Sequence, residues 1–204
     1  AVGGGQMLLA AYDAFERRRP EAAPVEHIEQ LRGIDVDARA VEVARRSLKL
    51  HVARRSGERS PAAEEAIDRS IRVGDGLFDE VDSAGIVATN PPYMGLRSMP
   101  PELKEEIRER FEPFHRDLYA AFIRRCHDLA EERVAILAQQ TIWYLKSYER
   151  ARERLLSEGA LEVFVHFGPH AFRTLDGEKA NVVAFVQNSG ERSGGETTFW
   201  DLRD

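Results

Sequence analysis

The sequence predicts an α/β fold: a doubly wound, mostly parallel sheet with an antiparallel hairpin at one end. Apolar segments of strand length alternate with amphipathic segments of helical length through most of the chain. The last two strand segments follow each other without a clear helix between them, which predicts the hairpin. Polar residues cluster where strands end, the edge at which doubly wound sheets hold their ligands.

The first third of the chain predicts a helix, a strand and a second helix. Apolar side chains recur at helical spacing over residues 6–17, and a short strand over residues 31–34 ends at Asp35. Asp37 can cap the helix that follows. The apolar face of that helix is Val41, Ala44 and Leu48.

Two stretches here lack a clear pattern. Residues 18–26 are rich in Arg, Pro, Glu and Ala and predict a loop. Residues 51–70 are polar and predict a surface insertion that is partly helical. The segment "SIRVGDGLF" then predicts a strand and a turn.

The remainder of the chain predicts four strands and three helices. The first of these strands, "AGIVATN", is continuously apolar, as strands of buried parallel sheets are. The strands are predicted over residues 84–90, 133–140, 160–168 and 181–188, and the helices over 100–112, 117–131 and 144–158.

Composition limits the class of protein. A chain of 204 residues is long enough for one domain with a substantial core. No apolar run is long enough to span a membrane, and the single cysteine, Cys126, cannot form an internal disulfide, which fits a reducing cytoplasm. The net charge of −6 argues against nucleic-acid binding through bulk charge, so such a substrate needs a local basic face or another domain.

The opening "AVGGGQMLL" begins within a motif, because a glycine turn opens a helix and no strand leads into it. This predicts a fragment of a larger protein. Gly3, Gly4 and Gly5 can let a cofactor approach the backbone, and a plain loop or terminal tag is the alternative.

Two acids follow predicted strands at the same edge of the sheet. Asp35 can accept hydrogen bonds from a ribose diol, and Asp37 already supplies the helix cap, which leaves Asp35 available. Asp75 lies between glycines and can accept a hydrogen bond from an exocyclic amine such as that of adenine. The alternatives are an ordinary strand-end acid for Asp35 and a turn aspartate for Asp75.

The most specific segment is Asn90-Pro91-Pro92-Tyr93, directly after a strand. Two prolines fix the chain and supply no backbone donor. The lone pair of an aromatic amine is delocalised into its ring, so the amine is a poor nucleophile. The Asn90 side-chain oxygen and the Pro91 carbonyl can bind its two hydrogens and localise the lone pair for attack on a methyl sulfonium, while Tyr93 stacks on the base. The alternative is a strand-to-loop turn with incidental prolines.

These motifs, in this order, resemble class I, S-adenosylmethionine-dependent adenine-N6 DNA methyltransferases of the gamma arrangement. "AVGGGQMLL" resembles the end of the family's cofactor motif, "GIDVDARAVEVARRSL" its ribose motif, "GDGLF" its adenine-edge motif and "NPPY" its catalytic motif. The wider run through "AILAQQTIWYLKSYERAR" is similar to PglX-type methyltransferases of BREX phage-defence systems and to fused type II restriction-modification enzymes.

The resemblance implies a Rossmann-like catalytic core over residues 1–204, with S-adenosylmethionine as cofactor. It implies Asn90, Pro91, Pro92 and Tyr93 as catalytic residues, with Tyr93 and Phe172 against the substrate base. The implied cofactor-binding residues are Ala1, Gly3, Gly5, Asp35, Val36, Asp75, Gly76 and Asn90. The chain departs from the pattern where the opening Asp-Pro is missing, Val2 replaces the usual cysteine and Gly4 the usual serine.

The implied partners are double-stranded DNA, reached through the larger parent protein, and defence-system subunits; no membrane partner is expected. In the family, an upstream segment completes the cofactor pocket and a downstream domain reads DNA sequence. Both are expected to lie outside these 204 residues, which accounts for the acidic charge of the core.

Several other residues have structural explanations. His166 and His170 lack supporting ligands for a metal, and Cys126 is most simply a buried thiol. Asp117 begins a segment, "DLY", that is similar to one lining the family's cofactor pocket, although a helix N-terminus explains it equally well. Phe172 can be a core aromatic instead of a support for the base.

Two other functions remain open from the sequence. The Asn-Pro-Pro-Tyr motif also serves enzymes that methylate a protein glutamine amide or a guanine amine in RNA. A scaffold that binds the cofactor or a defence partner without transferring methyl is the non-enzymatic alternative.

Overall fold

Helices and strands alternate along the chain in the computed structural model, which describes residues 1–168, 181–189 and 196–203. The chain forms two compact units, Ala1–Glu80 and Val81–Asp204. None of the helices within the described ranges combines the length and apolar character needed to cross a membrane.

The first unit contains four helices and a two-stranded parallel sheet. In chain order its elements are α1 (Gln6–Arg18), α2 (Pro24–Ile28), β1 (Gly33–Asp35), α3 (Ala38–Ser56), α4 (Pro61–Ser70) and β2 (Ile71–Val73). β1 and β2 pair in register from Gly33 opposite Ile71 to Asp35 opposite Val73. The carboxyl ends of both strands therefore lie at the same edge.

Local chemistry sets the helix boundaries of this unit. The Asp37 carboxylate accepts a hydrogen bond of 2.8 Å from the Arg39 backbone N–H and caps α3, as predicted. Ser60 caps α4 in the same way, with Pro61 as the first helical residue. Gly57, at a φ of 80°, ends α3 in the left-handed conformation.

The core of the first unit lies between the helices and the short sheet. The predicted face of α3 is buried, and it packs with side chains from α1, α2 and α4. The largest fully buried side chains of this core are Tyr12, Ile28, Leu48, Ile67 and Ile71.

The second unit is built on a five-stranded sheet. Its elements are β3 (Ala84–Thr89), α5 (Pro101–Phe111), α6 (Leu118–Leu129), β4 (Ala130–Gln139), α7 (Thr141–Tyr144), a 3₁₀ turn (Lys146–Tyr148), α8 (Glu149–Glu158), β5 (Leu161–Gly168), β6 (Val182–Asn188) and β7 (Thr198–Asp201). The strand order is β3-β4-β6-β5-β7.

Pairing in this sheet is mixed. β3 pairs with β4 in parallel, and β5 pairs with β7 in parallel. β5 and β6 form the predicted antiparallel pair, and β6 also runs antiparallel to β4. The hairpin strand β6 is therefore inserted between β4 and β5. Alternate residues of β4, Val134, Ile136 and Ala138, are buried on one face.

Four elements differ from the sequence predictions. The stretch predicted as a loop contains α2. Residues 51–70 are partly helical, as predicted, but they are the end of α3 followed by α4, whose Ala63, Ala66 and Ile67 lie in the core, and they are not a surface insertion. The short helix α7 and the edge strand β7 carry too few residues to show a period. All four are short or have weak apolar patterns, so capping and tertiary packing decide their structure.

A buried histidine makes the stability of the second unit sensitive to pH. His127, on α6, is 9% exposed, and its Nε2 has no hydrogen-bond partner among the described residues. Burial lowers the pKa of His127 to about 4, with a further decrease from Arg124, while Glu158 and Asp128 oppose the shift. The folded state therefore binds this proton less readily than the unfolded state, whose pKa is near 6.5.

We expect the contribution of His127 to stability to be complete above pH 6.5 and to be lost as the pH falls toward 4. At pH 5 the loss should be about 2 kcal/mol. Urea unfolding at pH 7 and pH 5 should show a smaller decrease for His127→Gln than for the wild type. His115 and His166, whose pKa values burial also lowers, should supply the decrease that remains. An unchanged decrease in the variant would contradict this assignment.

Candidate active site

The glycine turn before α1 leaves its backbone open on one side. Gly3 and Gly5 have positive φ angles of 52° and 85°, and the Gly5 N–H donates to the Val2 carbonyl at 3.0 Å. A Cβ at Gly3 or Gly4 would meet no atom within 4 Å, whereas one at Gly5 would lie 3.1 Å from the Ala44 Cα. Gly5 therefore packs α1 against α3, and Gly3 and Gly4 leave space for a ligand.

The Asp35 carboxylate holds this turn. Its Oδ2 accepts a hydrogen bond from the Gly3 N–H and its Oδ1 accepts one from the Asp37 N–H, both at 3.0 Å. Burial disfavours the charged form, but backbone hydrogen bonds from Gly3, Asp37 and Val2, together with the N-terminal amine, outweigh it and lower the pKa of Asp35. The structure thus brings two predicted cofactor residues, Gly3 and Asp35, into direct contact around an ionised carboxylate.

Asp75 occupies the turn after the neighbouring strand. Its Oδ1 accepts a hydrogen bond of 2.8 Å from the Leu77 N–H, and its own N–H donates to Asp79 Oδ2 at 2.9 Å. The Gly74 N–H donates to the Asp35 carbonyl at 2.9 Å, which fixes this turn beside the end of β1. Asp75 therefore has the turn role that the sequence analysis considered, and it is still partly exposed.

The other predicted residues of this edge are accessible. Val36, directly after Asp35, is 74% exposed. Ala1 is exposed and Gly76 is partly exposed. An exposed valine beside an ionised carboxylate offers apolar surface and a hydrogen-bond acceptor at the same place.

The Asn90–Tyr93 segment follows β3 in the second unit. Asn90 and Pro92 are exposed, Pro91 is buried and Tyr93 is half-buried. The Tyr93 hydroxyl donates to Asn90 Oδ1 at 3.3 Å, a long and therefore weak hydrogen bond. The structure thus places the amide oxygen and the aromatic ring side by side, in an accessible position at the carboxyl end of the strand.

Asp117 fixes the chain just after this segment. Its Oδ1 accepts hydrogen bonds from the backbone N–H groups of Met94 and Tyr119, both at 3.2 Å. The Leu118 N–H donates to the Met94 carbonyl at 2.9 Å. Burial raises the pKa of Asp117, although these backbone donors oppose the increase. The residue that caps α6 therefore also holds the loop that carries Tyr93.

A column of tyrosines supports the Tyr93 ring. Tyr119 meets Tyr93 edge to face with ring centroids 6.1 Å apart, and the Tyr148 ring lies 6.3 Å from Tyr119. Tyr119 is fully buried, and its hydroxyl is 2.6 Å from Thr141 Oγ1. Burial raises the pKa of Tyr119, and it raises the pKa of Tyr148 to about 12, so both stay neutral. Thr141 and Tyr148 lie in the run "AILAQQTIWYLKSYERAR", but no role could be predicted for them, because their contacts with Tyr119 join residues that are distant in the sequence.

Other candidate residues have structural explanations or lie outside the described ranges. His166 is buried beside Gln140, with Nε2 against Oε1, and burial lowers its pKa. Cys126 is buried, which raises the pKa of its thiol to about 12 and confirms the prediction of a buried thiol. His170 and Phe172 lie outside the described residues. Within the described ranges, no group of three or more His, Cys, Asp or Glu side chains is arranged to hold a metal ion.

Comparison with known families decides the classification. The model of the Eco57I restriction-modification methylase family matches residues 29–172, more than half of the chain. The chain belongs to this family. The match includes Asp35, Asp75, the Asn90–Tyr93 segment and Asp117.

A curated relative agrees with the family assignment. This Eco57I-family chain is 32% identical over 136 residues to the adenine-specific methyltransferase PglX of Lacticaseibacillus casei (strain Zhang). The aligned part is 66% of this chain and 11% of the relative. The chain therefore spans about a tenth of the length of the curated relative that it matches.

Solved structures confirm the predicted fold class. The type IIL restriction-modification enzyme MmeI, solved in complex with DNA, matches with a TM-score of 0.71 and 14% identity, over 100% of this chain and 32% of that enzyme. A protein of Listeria monocytogenes assigned to the class I S-adenosylmethionine-dependent methyltransferases matches with a TM-score of 0.66 and 15% identity, over 100% of this chain and 57% of that protein. At these identities the likeness establishes the fold alone.

The geometry of the glycine turn can be tested by a matched pair of substitutions. Gly5→Ala should destabilise the protein by about 1–3 kcal/mol, because it places a Cβ at positive φ and against the Ala44 backbone. Gly4→Ala meets open space and should change stability by less than about 0.5 kcal/mol. Urea unfolding of both variants measures the difference. Equal stabilities would show that Gly5 does not hold α1 against α3.

Proposed function

We propose that the protein containing this chain transfers a methyl group from S-adenosylmethionine to the N6 amine of adenine in double-stranded DNA. The observation that carries this proposal is the pairing of Asn90 and Tyr93 at the carboxyl end of β3. There, an accessible amide oxygen lies beside an aromatic ring whose position is set by buried neighbours. Membership of the Eco57I methylase family and the name of the adenine-specific relative support adenine as the substrate base.

The first unit supplies groups that fit the cofactor. Gly3 and Gly4 leave the turn open to a ligand that approaches the backbone. Asp35 is ionised and largely buried, and a carboxylate has about four acceptor positions, more than the backbone N–H groups around it use, so a ribose hydroxyl can donate to it. Val36 offers apolar surface, and Asp75 lies on the neighbouring turn, suited to an adenine amine. We assign Ala1, Gly3, Gly5, Asp35, Val36, Asp75 and Gly76 to this role.

The second unit supplies groups that fit the amine. When bound, S-adenosylmethionine supplies an electrophilic methyl sulfonium. Asn90 Oδ1 and the Pro91 carbonyl accept the two hydrogens of the substrate amine, which localises the nitrogen lone pair for attack. The Tyr93 hydroxyl gives up or shares its weak bond to Asn90 Oδ1 when the amine is bound. Because Pro91 and Pro92 restrict the chain, the two acceptors need little reorganisation.

Tyr93 also has the properties of a stacking platform for an extruded base. An adenine inside a duplex must leave the stack before its amine can be reached. The Tyr93 ring is half-buried against Tyr119, so its orientation is fixed before a base is bound. Phe172, outside the described residues, remains our prediction for the opposite side of the base.

The wider setting follows from the same proposal. Double-stranded DNA is the substrate, and a phage-defence or restriction-modification system in the cytoplasm is the biological context, with other subunits of that system as partners. The family name and the PglX relative support this context. Because the net charge of −6 disfavours DNA binding through bulk charge, we propose that this chain performs the methyl transfer and that other parts of the full-length protein read the DNA sequence.

Asp35→Ala should weaken binding of S-adenosylmethionine by about 1–3 kcal/mol, because it removes the acceptor for the ribose hydroxyls. Titration calorimetry on the full-length protein measures this change. Asp37→Ala is the matched control, since it removes a carboxylate from the α3 cap two residues away. Equal affinities for Asp35→Ala and the wild type would remove Asp35 from the cofactor site.

Asn90→Ala should lower kcat at least about a hundredfold, because it removes an acceptor aimed at the charge that develops on the amine. Cofactor affinity should be retained. Tyr93→Ala should weaken base capture by roughly 1–3 kcal/mol, whereas Tyr93→Phe keeps the ring and should retain most activity. Transfer of tritiated methyl to DNA, followed by nucleoside analysis, measures both rate and product. A wild-type rate for Asn90→Ala, or a product other than N6-methyladenine, would overturn the proposal.

A further inference from the structure

A cleft of about 420 Å³ lies in the second unit, and none of its lining residues belongs to the Asn90–Tyr93 segment. The end of α5 and the segment before α6 form one side, and the 3₁₀ turn with the start of α8 forms the other. Its charged lining residues are Arg108, Glu112, Arg116, Lys146, Glu149 and Arg150.

The cleft is basic although the chain is acidic. Four cations and two carboxylates leave it with an excess of two positive charges, against −6 for the whole chain. Arg150 pairs with Glu112 at 3.4 Å. Within the described part of the chain, Arg108, Arg116 and Lys146 form no ion pair with a carboxylate, so three cations remain available to an anion.

The surroundings of His115 also indicate a positive electrostatic potential in the cleft. It lines the same cleft, and its Nδ1 is buried without a hydrogen-bond partner among the described residues. Burial lowers the pKa of His115; Glu112 opposes this, and Arg116, Arg108 and Arg150 add to it. The three arginines therefore lie close enough to His115 for their positive charges to lower its pKa.

The cleft is close to the candidate amine site. Arg116 directly precedes Asp117, whose carboxylate holds the Met94 N–H just after Tyr93. Tyr148, at the end of the 3₁₀ turn that contributes Lys146, is reached from Tyr93 in two ring-to-ring steps of 6.1 and 6.3 Å. A nucleic-acid strand rises about 3.4 Å per nucleotide, so this separation corresponds to a few nucleotides.

We propose that this basic cleft binds a backbone phosphate of the substrate strand, within a few nucleotides of the base presented to Tyr93. The identity of the strand rests on the function proposed above. One guanidinium group can donate hydrogen bonds to two phosphate oxygens at the same time, and the Lys146 ammonium adds a positive point charge.

The test compares two double variants with the same change in charge. Arg108→Gln/Lys146→Gln removes two cations from the cleft, and Lys104→Gln/Arg110→Gln removes two from α5 outside the cleft. The affinity of the full-length protein for one DNA duplex is measured at several salt concentrations. We expect the plot of log affinity against log salt to become shallower by about 1 for the cleft variant, equally for duplexes of different sequence, and to stay unchanged for the control.

Three results would overturn the proposal: a wild-type slope for the cleft variant, an equal decrease for the control, or a loss confined to one DNA sequence. If inorganic phosphate at constant ionic strength raises the Tm of the wild type but not of the cleft variant, while the DNA slope is unchanged, the cleft binds free phosphate instead. Arg116→Gln replaces the double variant if circular dichroism shows that the latter does not fold. The DNA-binding experiment does not depend on methyl transfer. A shallower salt dependence for the cleft variant, in a protein that forms no N6-methyladenine, would therefore support the phosphate site and contradict the proposed methylation.

Discussion

The candidate amine site depends on the Asp117 carboxylate. One of its oxygens accepts the backbone N–H of Met94, directly after the Asn90–Tyr93 segment, and that of Tyr119, in the first turn of α6. These two bonds join a loop with two prolines to a helix whose next side chain, Tyr119, packs against the Tyr93 ring. Arg116, on the other side of Asp117, faces the basic cleft. A single half-buried acceptor therefore joins the loop that carries Tyr93 to the helix that carries Tyr119.

The first unit uses the same chemistry at Asp35. A carboxylate at the end of a strand accepts backbone N–H groups from the glycine turn and from the entry to α3. In both units an acid compensates for backbone donors that no secondary structure satisfies. The pKa values of the two acids shift in opposite directions, because the backbone donors and the N-terminal amine outweigh burial at Asp35, whereas burial outweighs the backbone donors at Asp117. Asp35 is thus suited to accept further hydrogen bonds, and Asp117 to hold a loop in place.

Periodicity predicted the long elements because they bury one face. α3 and α6 show this, with Asp37 and Asp117 at their N-termini. The sequence also indicated that Asp35 and Asp75 follow neighbouring parallel strands, whose carboxyl ends lie at the same edge of the two-stranded sheet. Sequence could not indicate that Asp35 holds Gly3, or that Tyr148 and Thr141 support Tyr119, since these contacts join distant residues. The cleft is similar, because its cations come from two segments that are brought together only by folding.

The insertion of β6 between β4 and β5 sets the order in which the second unit can be completed during synthesis. A ribosome delivers β4 first and β5 next, but neither pairs with the other in the finished sheet. Until residues 182–188 emerge, the backbone groups along one edge of β4 have no partner strand. The sheet therefore closes late, and the nascent chain carries an exposed strand edge over about 40 residues of elongation, the interval in which chaperones act on such chains.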